Sequence, residues 1–478
     1  MAEKFFQQNN WNGGLSDSEL VGMKGSLAEA VGLDIRSKPG IITPSQALVK
    51  ESGTTVTDFC KFGLVATDGN AYFFGDTGKI YKRTSAGVWS HVYTDSNGAI
   101  LGCAEWNGYI YWATSTKLGR QSTTLAASEA SWASQNNAWQ TLNSATYHPM
   151  TVQGLYLLIG NNTEIATVDE LDNFTANGTP DVILASLPSE HTITTIGNFG
   201  IDVLVGTKVT INHSFALICR WDMASPAYIS MEEIPENGIN GFIPTDNFMF
   251  IQAGTQGRIY YYDGSTLKKK RKINGDYANK TMTMYPDSYC SFRGVACFGI
   301  SNLSNDPCLE GVYTYSQYDA DYPLALMLEY VISTNHLSKV EIGTLVAIGN
   351  NLLVAWKDST SGTSYGVDNI SWSTKYSGAY FKTLQIGGDR KKKKTFQEYV
   401  ISYRSKPTGT GISLSYYPNY NSSPTTITLN NQSNYYKMYG RQKFEAGTAQ
   451  FKVNFTVNGN NAPEVEEIYI QFNEQEIL

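Results

Sequence analysis

No stretch of this 478-residue chain approaches the roughly 18 apolar residues that a membrane-spanning helix requires. The opening residues lack the basic-then-apolar order of a secretory leader, so synthesis and assembly in a cytosol are expected. Positive charge is in short supply: 36 Lys and Arg against 43 Asp and Glu leave a net charge of -7. That balance argues against a general nucleic-acid-binding surface. Charge of either sign is sparse, at 17% of residues, against about 25% in ordinary soluble domains. Six cysteines (Cys60, Cys103, Cys219, Cys290, Cys297 and Cys308) form no CxxC pair, so buried free thiols are expected. A zinc site from Cys290, Cys297 and Cys308 is the weaker alternative, because their spacing matches no zinc module.

Catalytic signatures are also missing. There is no HExxH, no Gly-x-Ser-x-Gly elbow, no phosphate-binding P-loop and no dinucleotide fingerprint. The five histidines (His91, His148, His191, His213 and His336) are scattered, and each reads best as a surface or hydrogen-bonded residue. The acidic turns Asp169 to Asp172 and Asp319 to Asp321 lack calcium-loop spacing and read as solvated turns. A non-enzymatic protein without a cofactor or metal is therefore expected.

What the chain does have is Tyr, Thr, Val, Ile and Gly in strand-and-turn order, with 31 Tyr and 43 Gly. Between about Phe62 and Trp372 one pattern recurs, in which apolar runs are separated by tight turns. Two copies share Gly-x-Ile-Tyr, as Gly78-Lys79-Ile80-Tyr81 and Gly257-Arg258-Ile259-Tyr260. The interval of roughly 40 to 50 residues is that of a four-stranded propeller blade. An all-β chain follows: an irregular N-terminal arm over 1–45, a β-propeller of about seven blades over 46–388, and a small β-sandwich over 389–478. A short helix is expected near Leu20 to Val31. Ring closure is expected from Val56 to Phe62 with Gly378 to Ile386. In the last part, alternation predicts strands at Phe396–Tyr403, Gly411–Tyr417, Gln450–Val457 and Glu466–Phe472.

Two basic runs are the interaction candidates: Lys268, Lys269, Lys270, Arg271 and Lys272, and Arg390, Lys391, Lys392, Lys393 and Lys394. Each suits phosphate or an acidic protein face, or simply a solvated strand end or linker. The second run is expected to lie outside any core. Tyrosines such as Tyr260, Tyr261, Tyr262, Tyr416, Tyr417 and Tyr420 suit a sugar- or protein-binding face, but core and sheet-face packing accounts for most of them.

The N-terminal residues are more specific. Asn10-Trp11-Asn12-Gly13-Gly14-Leu15-Ser16-Asp17-Ser18, then Gly25-Ser26, then Val31-Gly32-Leu33-Asp34 and Lys38-Pro39-Gly40, resemble the opening of propeller-type structural proteins of tailed bacteriophages. The closing segments Phe396-Gln397-Glu398-Tyr399, Gln450-Phe451-Lys452-Val453 and Val465-Glu466-Glu467-Ile468 are similar in layout. The resemblance implies a viral structural protein of the tail, a nozzle or hub subunit in a ring around the DNA exit path. It implies copies of itself as partners, in a ring such as a hexamer, together with other tail or neck proteins. DNA would pass without sequence-specific binding, and the protein would reside in the virion after assembly in the bacterial host cytoplasm. Trp11 joins the basic runs as an interaction candidate. Two other classes stay open: a receptor-binding protein recognising a host surface glycan, and a propeller glycan hydrolase or lyase.

Overall fold

The computed structural model describes residues 2–210, 215–245, 248–273, 281–304, 309–316, 325–334, 339–387 and 392–476. Strand dominates, in the order expected of a propeller. Successive antiparallel four-stranded blades begin with Cys60–Val65, Gly102–Trp106, Met150–Gln153, His191–Phe199, Ile239–Pro244, Tyr289–Phe292 and Val340–Ile348. The second strand of a blade is buried almost throughout, as in Ala71–Gly75 and Met249–Ala253, because a neighbouring blade covers each face. That is why these strands read in the sequence as continuous apolar runs rather than as alternation.

Ring closure differs from expectation. The fourth strand of the last blade is Gln46–Lys50, which pairs with Ser364–Lys375 through Leu48↔Ile370 and Lys50↔Asp368. Of the two expected closing segments, the first supplies the innermost strand of blade one, Cys60–Val65, and the second supplies Tyr380–Lys382, which leaves the ring. Gln46–Lys50 buries only Leu48 fully, so its sequence carries little strand signal. An outer strand with one covered face needs few apolar residues.

The sandwich has two sheets. One runs Ala2–Gln8, Glu464–Glu476, Lys392–Ser405, Lys437–Ala446, Asn430–Gln432. The other runs Tyr380–Lys382, Ala449–Thr456, Gly411–Pro418, Thr425–Ile427. The C-terminal strands expected from alternation are all present, with Ile412, Leu414 and Tyr416 buried on one face. Between the sheets Phe396, Tyr416, Phe444 and Phe451 stack, with Tyr416 and Phe444 centroids 3.7 Å apart and nearly parallel.

The N-terminal residues join the two parts. Ala2–Gln8 is an edge strand of the sandwich, in register from Ala2↔Glu474 to Gln8↔Ile468. Glu29–Val31 lies between Tyr380–Lys382, to which it is antiparallel, and the outer strand of blade six, Ala325–Tyr330, to which it is parallel. Blade six and the second sandwich sheet thereby become one continuous ten-stranded sheet. The helix expected near Leu20 to Val31 is not formed, and Ser26–Leu27 and Glu29–Val31 are short strands. Gly32 ends this stretch at φ 63°, with the Tyr376 ring 2.1 Å from where a Cβ would stand. A side chain there would meet both backbone strain and a ring; within the expected helical span itself Gly25 stands at φ 80°, which no right-handed helix adopts.

Candidate interaction surfaces

The first basic run is divided by the fold. Leu267–Lys272 is the outer strand of blade five, with Lys268 and Lys269 exposed. Lys269 lines a 680 Å³ groove with Glu232, Glu233 and Arg258, between blades four and five. Arg271 is instead mostly covered and lies 3.8 Å from Asp17. The same carboxylate accepts the Lys272 amide at 3.3 Å. Two of the five residues of this run, Arg271 and Lys272, therefore hold the N-terminal segment. The side chain of Lys270 lies outside the described residues.

The second run is divided too. Arg390 and Lys391 lie outside the described residues. Lys392 is half-buried, and Lys393 is exposed and pairs with Glu445 at 2.5 Å. Lys394, expected outside any core, is fully buried. Its ammonium donates to the Gly447 carbonyl at 2.8 Å and the Lys392 carbonyl at 3.2 Å. Alternation accounts for the burial: Lys394, Phe396 and Tyr399 share the inner face of a strand that carries a bulge, and backbone carbonyls accept the ammonium's hydrogens. Trp11 is likewise in the core, 1% exposed, with its ring 5.1 Å from Phe381.

Several other candidates resolve as structural. Cys290 and Cys297 are register partners in one hairpin, burial pushes the Cys290 thiol up to about 12, and no metal-ligating cluster occurs among the described residues. Cys308 lies outside them, as do His213, His336 and Asp319 to Asp321. His148 is buried, and its ring nitrogens meet the Gly160 and Ser115 carbonyls at 2.7 and 3.2 Å. Burial lowers its pKa from the usual value. Asp169 folds its own turn by accepting the Leu171 and Asn173 amides, each at 2.8 Å. Tyr260 and Tyr262 are core residues of blade five, whereas Tyr420 is exposed.

Three groupings were invisible in the sequence. At one mouth of the propeller axis, Lys61 pairs with Asp76 at 2.8 Å and Lys357 with Glu341 at 2.7 Å. The Tyr285 hydroxyl also donates to Glu341, and the Lys61 ammonium lies 5.0 Å from the Tyr285 ring centroid. Burial raises the Asp76 carboxyl despite Lys61. Burial opposes the Lys357 charge, but the Glu341 carboxylate outweighs it and raises the ammonium. Each carboxylate here is answered by a lysine, so the cluster ties blades six, seven and one together.

Deeper along the inner strands, Asp287 Oδ2 accepts the Gly63 amide at 2.8 Å and the Thr344 hydroxyl at 2.7 Å. Burial pushes this carboxyl up to about 7. The third grouping is a 360 Å³ cleft where the N-terminal segment meets blades six and seven, lined by Asp34, Arg36, Arg293, Glu329, Trp372 and Lys375 among others. These residues come from segments hundreds of positions apart, so no local signal marks them.

The strand order defines the class: a seven-bladed β-propeller joined through a shared sheet to a β-sandwich. No family model matches the chain, and no curated protein matches it. Solved structures similar to it include the WD40 β-propeller domain of Doa1, at 12% identity and TM-score 0.45, covering 69% of this chain and 97% of that one. The β-propeller domain of Cps50 (Swd1) from Myceliophteria thermophila is similar at 11% identity and TM-score 0.46, covering 69% and 100%. The extracellular domain of a putative one component system, BT4673, from B. thetaiotaomicron is similar at 15% identity and TM-score 0.43, covering 83% of this chain and 44% of that one.

Proposed function

We propose that this chain is a structural subunit of a tailed-phage virion, forming a nozzle or hub ring around the DNA exit path. The observation that carries the reading is the role of the N-terminal segment. The residues that resemble such proteins, from Asn10 to Asp34, are where Trp11 enters the core and Glu29–Val31 joins blade six to the sandwich. A subunit that must hold its shape benefits from a continuous hydrogen-bonded sheet across its two parts. The net charge of -7 fits a surface past which DNA slides without adhering.

Cryo-electron microscopy of the purified chain, with duplex-DNA retention measured at physiological salt, tests the reading. Closed rings with an opening wide enough for duplex DNA, and no retention of DNA, are expected. A chain that stays monomeric at high concentration and holds duplex DNA tightly overturns it.

A further inference from the structure

The cleft between the N-terminal segment and blades six and seven has two cations, half-buried Lys375 and exposed Arg293, that form no ion pair among the described residues. Lys375, at the end of the long third strand of blade seven, is more than half covered, and among the described residues its ammonium meets no hydrogen-bond acceptor or ion-pair partner. Burial lowers its pKa from the usual lysine value, although Asp34 and Glu329 pull the other way. Arg293 stands at the tip of the blade-six hairpin in a left-handed conformation, φ 53°, and its guanidinium lies 5.0 Å from the Trp372 ring centroid. No carboxylate among the described residues takes its donors. Trp372 is 41% exposed, and its indole N–H donates to the Asn350 carbonyl at 3.1 Å, which fixes the ring.

The remaining charges are accounted for. Glu329 is buried, pairs with Arg36, and accepts the Thr314 hydroxyl at 2.9 Å. Asp34 Oδ1 accepts the Arg36 and Ser37 amides at 2.7 and 3.1 Å. With the Arg36–Glu329 pair self-neutral, Arg293 and Lys375 face the single carboxylate of Asp34, an excess of one positive charge. Phe292, Val295 and Tyr330 add apolar wall between the charged groups. The volume, 360 Å³, falls at the lower end of the roughly 300–1,000 Å³ of small-ligand sites.

We propose that this cleft binds an acidic sugar, a ring carrying one carboxylate. The carboxylate lies between Arg293 and Lys375, as charge-assisted hydrogen bonds require. A sugar ring packs its C–H face on Trp372, and its hydroxyls donate to Asp34. A phosphate dianion fits less well, since Asp34 opposes a second negative charge. An acidic side chain of a partner protein shares the carboxylate but offers no hydroxyls to Asp34. The inference stands whether or not the chain is a virion subunit.

The test is calorimetric titration of the full chain at low ionic strength with D-glucuronate, D-glucose and a short glutamate-rich peptide. Saturable glucuronate binding is expected, with glucose weaker by about tenfold or more, the loss typical of an unmade charge-assisted contact. Lys375→Met removes charge from a partly exposed position and keeps the chain length, so it should fold; it is expected to weaken glucuronate about tenfold with an unchanged melting temperature. Trp372→Ala is expected to weaken both sugars. Absence of saturable glucuronate binding, or binding unchanged in Lys375→Met, overturns the proposal. Binding of the peptide but not of glucuronate also overturns it and makes the cleft a protein contact.

Discussion

Asp287→Asn should make the protein less sensitive to rising pH. In the folded chain the Asp287 carboxyl is raised to about 7, chiefly by burial, from an ordinary value of 3.8. Between those values the folded state holds a proton that the unfolded state has released, so stability falls as pH rises and levels off above about 7. The gap of about three pKa units corresponds to about 4 kcal/mol at 1.36 kcal/mol per unit. The residue keeps some solvent contact, which screens the charge, so about 2–4 kcal/mol is the expected loss between pH 4 and pH 8. Asparagine keeps a carbonyl oxygen for the Gly63 amide and Thr344 hydroxyl, and never ionises. Urea unfolding of both proteins at pH 4 and pH 8 isolates the effect, since every other titrating group is common to the two. The stability of Asp287→Asn relative to the parent should improve by about 2–4 kcal/mol over that interval. An identical difference at both pH values would refute the reasoning.

Trp11→Ala should cost about 3–5 kcal/mol in denaturant unfolding, the usual penalty for a fully buried large ring, and not act as a neutral surface change. Val49→Pro should loosen the ring closure: the Glu51 amide donates to the Val367 carbonyl at 3.0 Å, so Val49, two residues earlier and opposite Asn369, also points its amide into the ladder; a loss of about 1–3 kcal/mol and faster proteolytic release of the segment before it are expected. Lys393→Ser should change stability by less than about 1 kcal/mol, since its pair with Glu445 is exposed, as thermal unfolding would show. Gly387→Ala should destabilise by about 1 kcal/mol or more in the same assay, because φ is 90° and a Cβ would stand 2.4 Å from Lys394 Cε. An assembly test of the second basic run should therefore replace Arg390 to Lys393 and spare Lys394, so that a loss of assembly cannot be a loss of folding.

The blades were legible because their period is local. Apolar runs separated by tight turns recur within each stretch of about 45 residues, and a strand covered on both faces must be apolar throughout. The sandwich strands were legible for the same reason at a period of two, as Ile412, Leu414 and Tyr416 show. A buried lysine was not, because charge alone says solvent, whereas in the fold the Gly447 and Lys392 carbonyls accept the Lys394 ammonium.

By itself, then, the sequence determined the all-β class, the repeating blade and the alternating strands of the last part, since hydrophobic period and turn residues act between neighbours in the chain. Tertiary structure alone decided which strand closes the ring, that Glu29–Val31 joins blade six to the sandwich, and that Arg293, Trp372 and Lys375 share one cleft. Those pairings join residues far apart along the chain, and a strand's partner depends on where the rest of the chain has already packed, which no local pattern records.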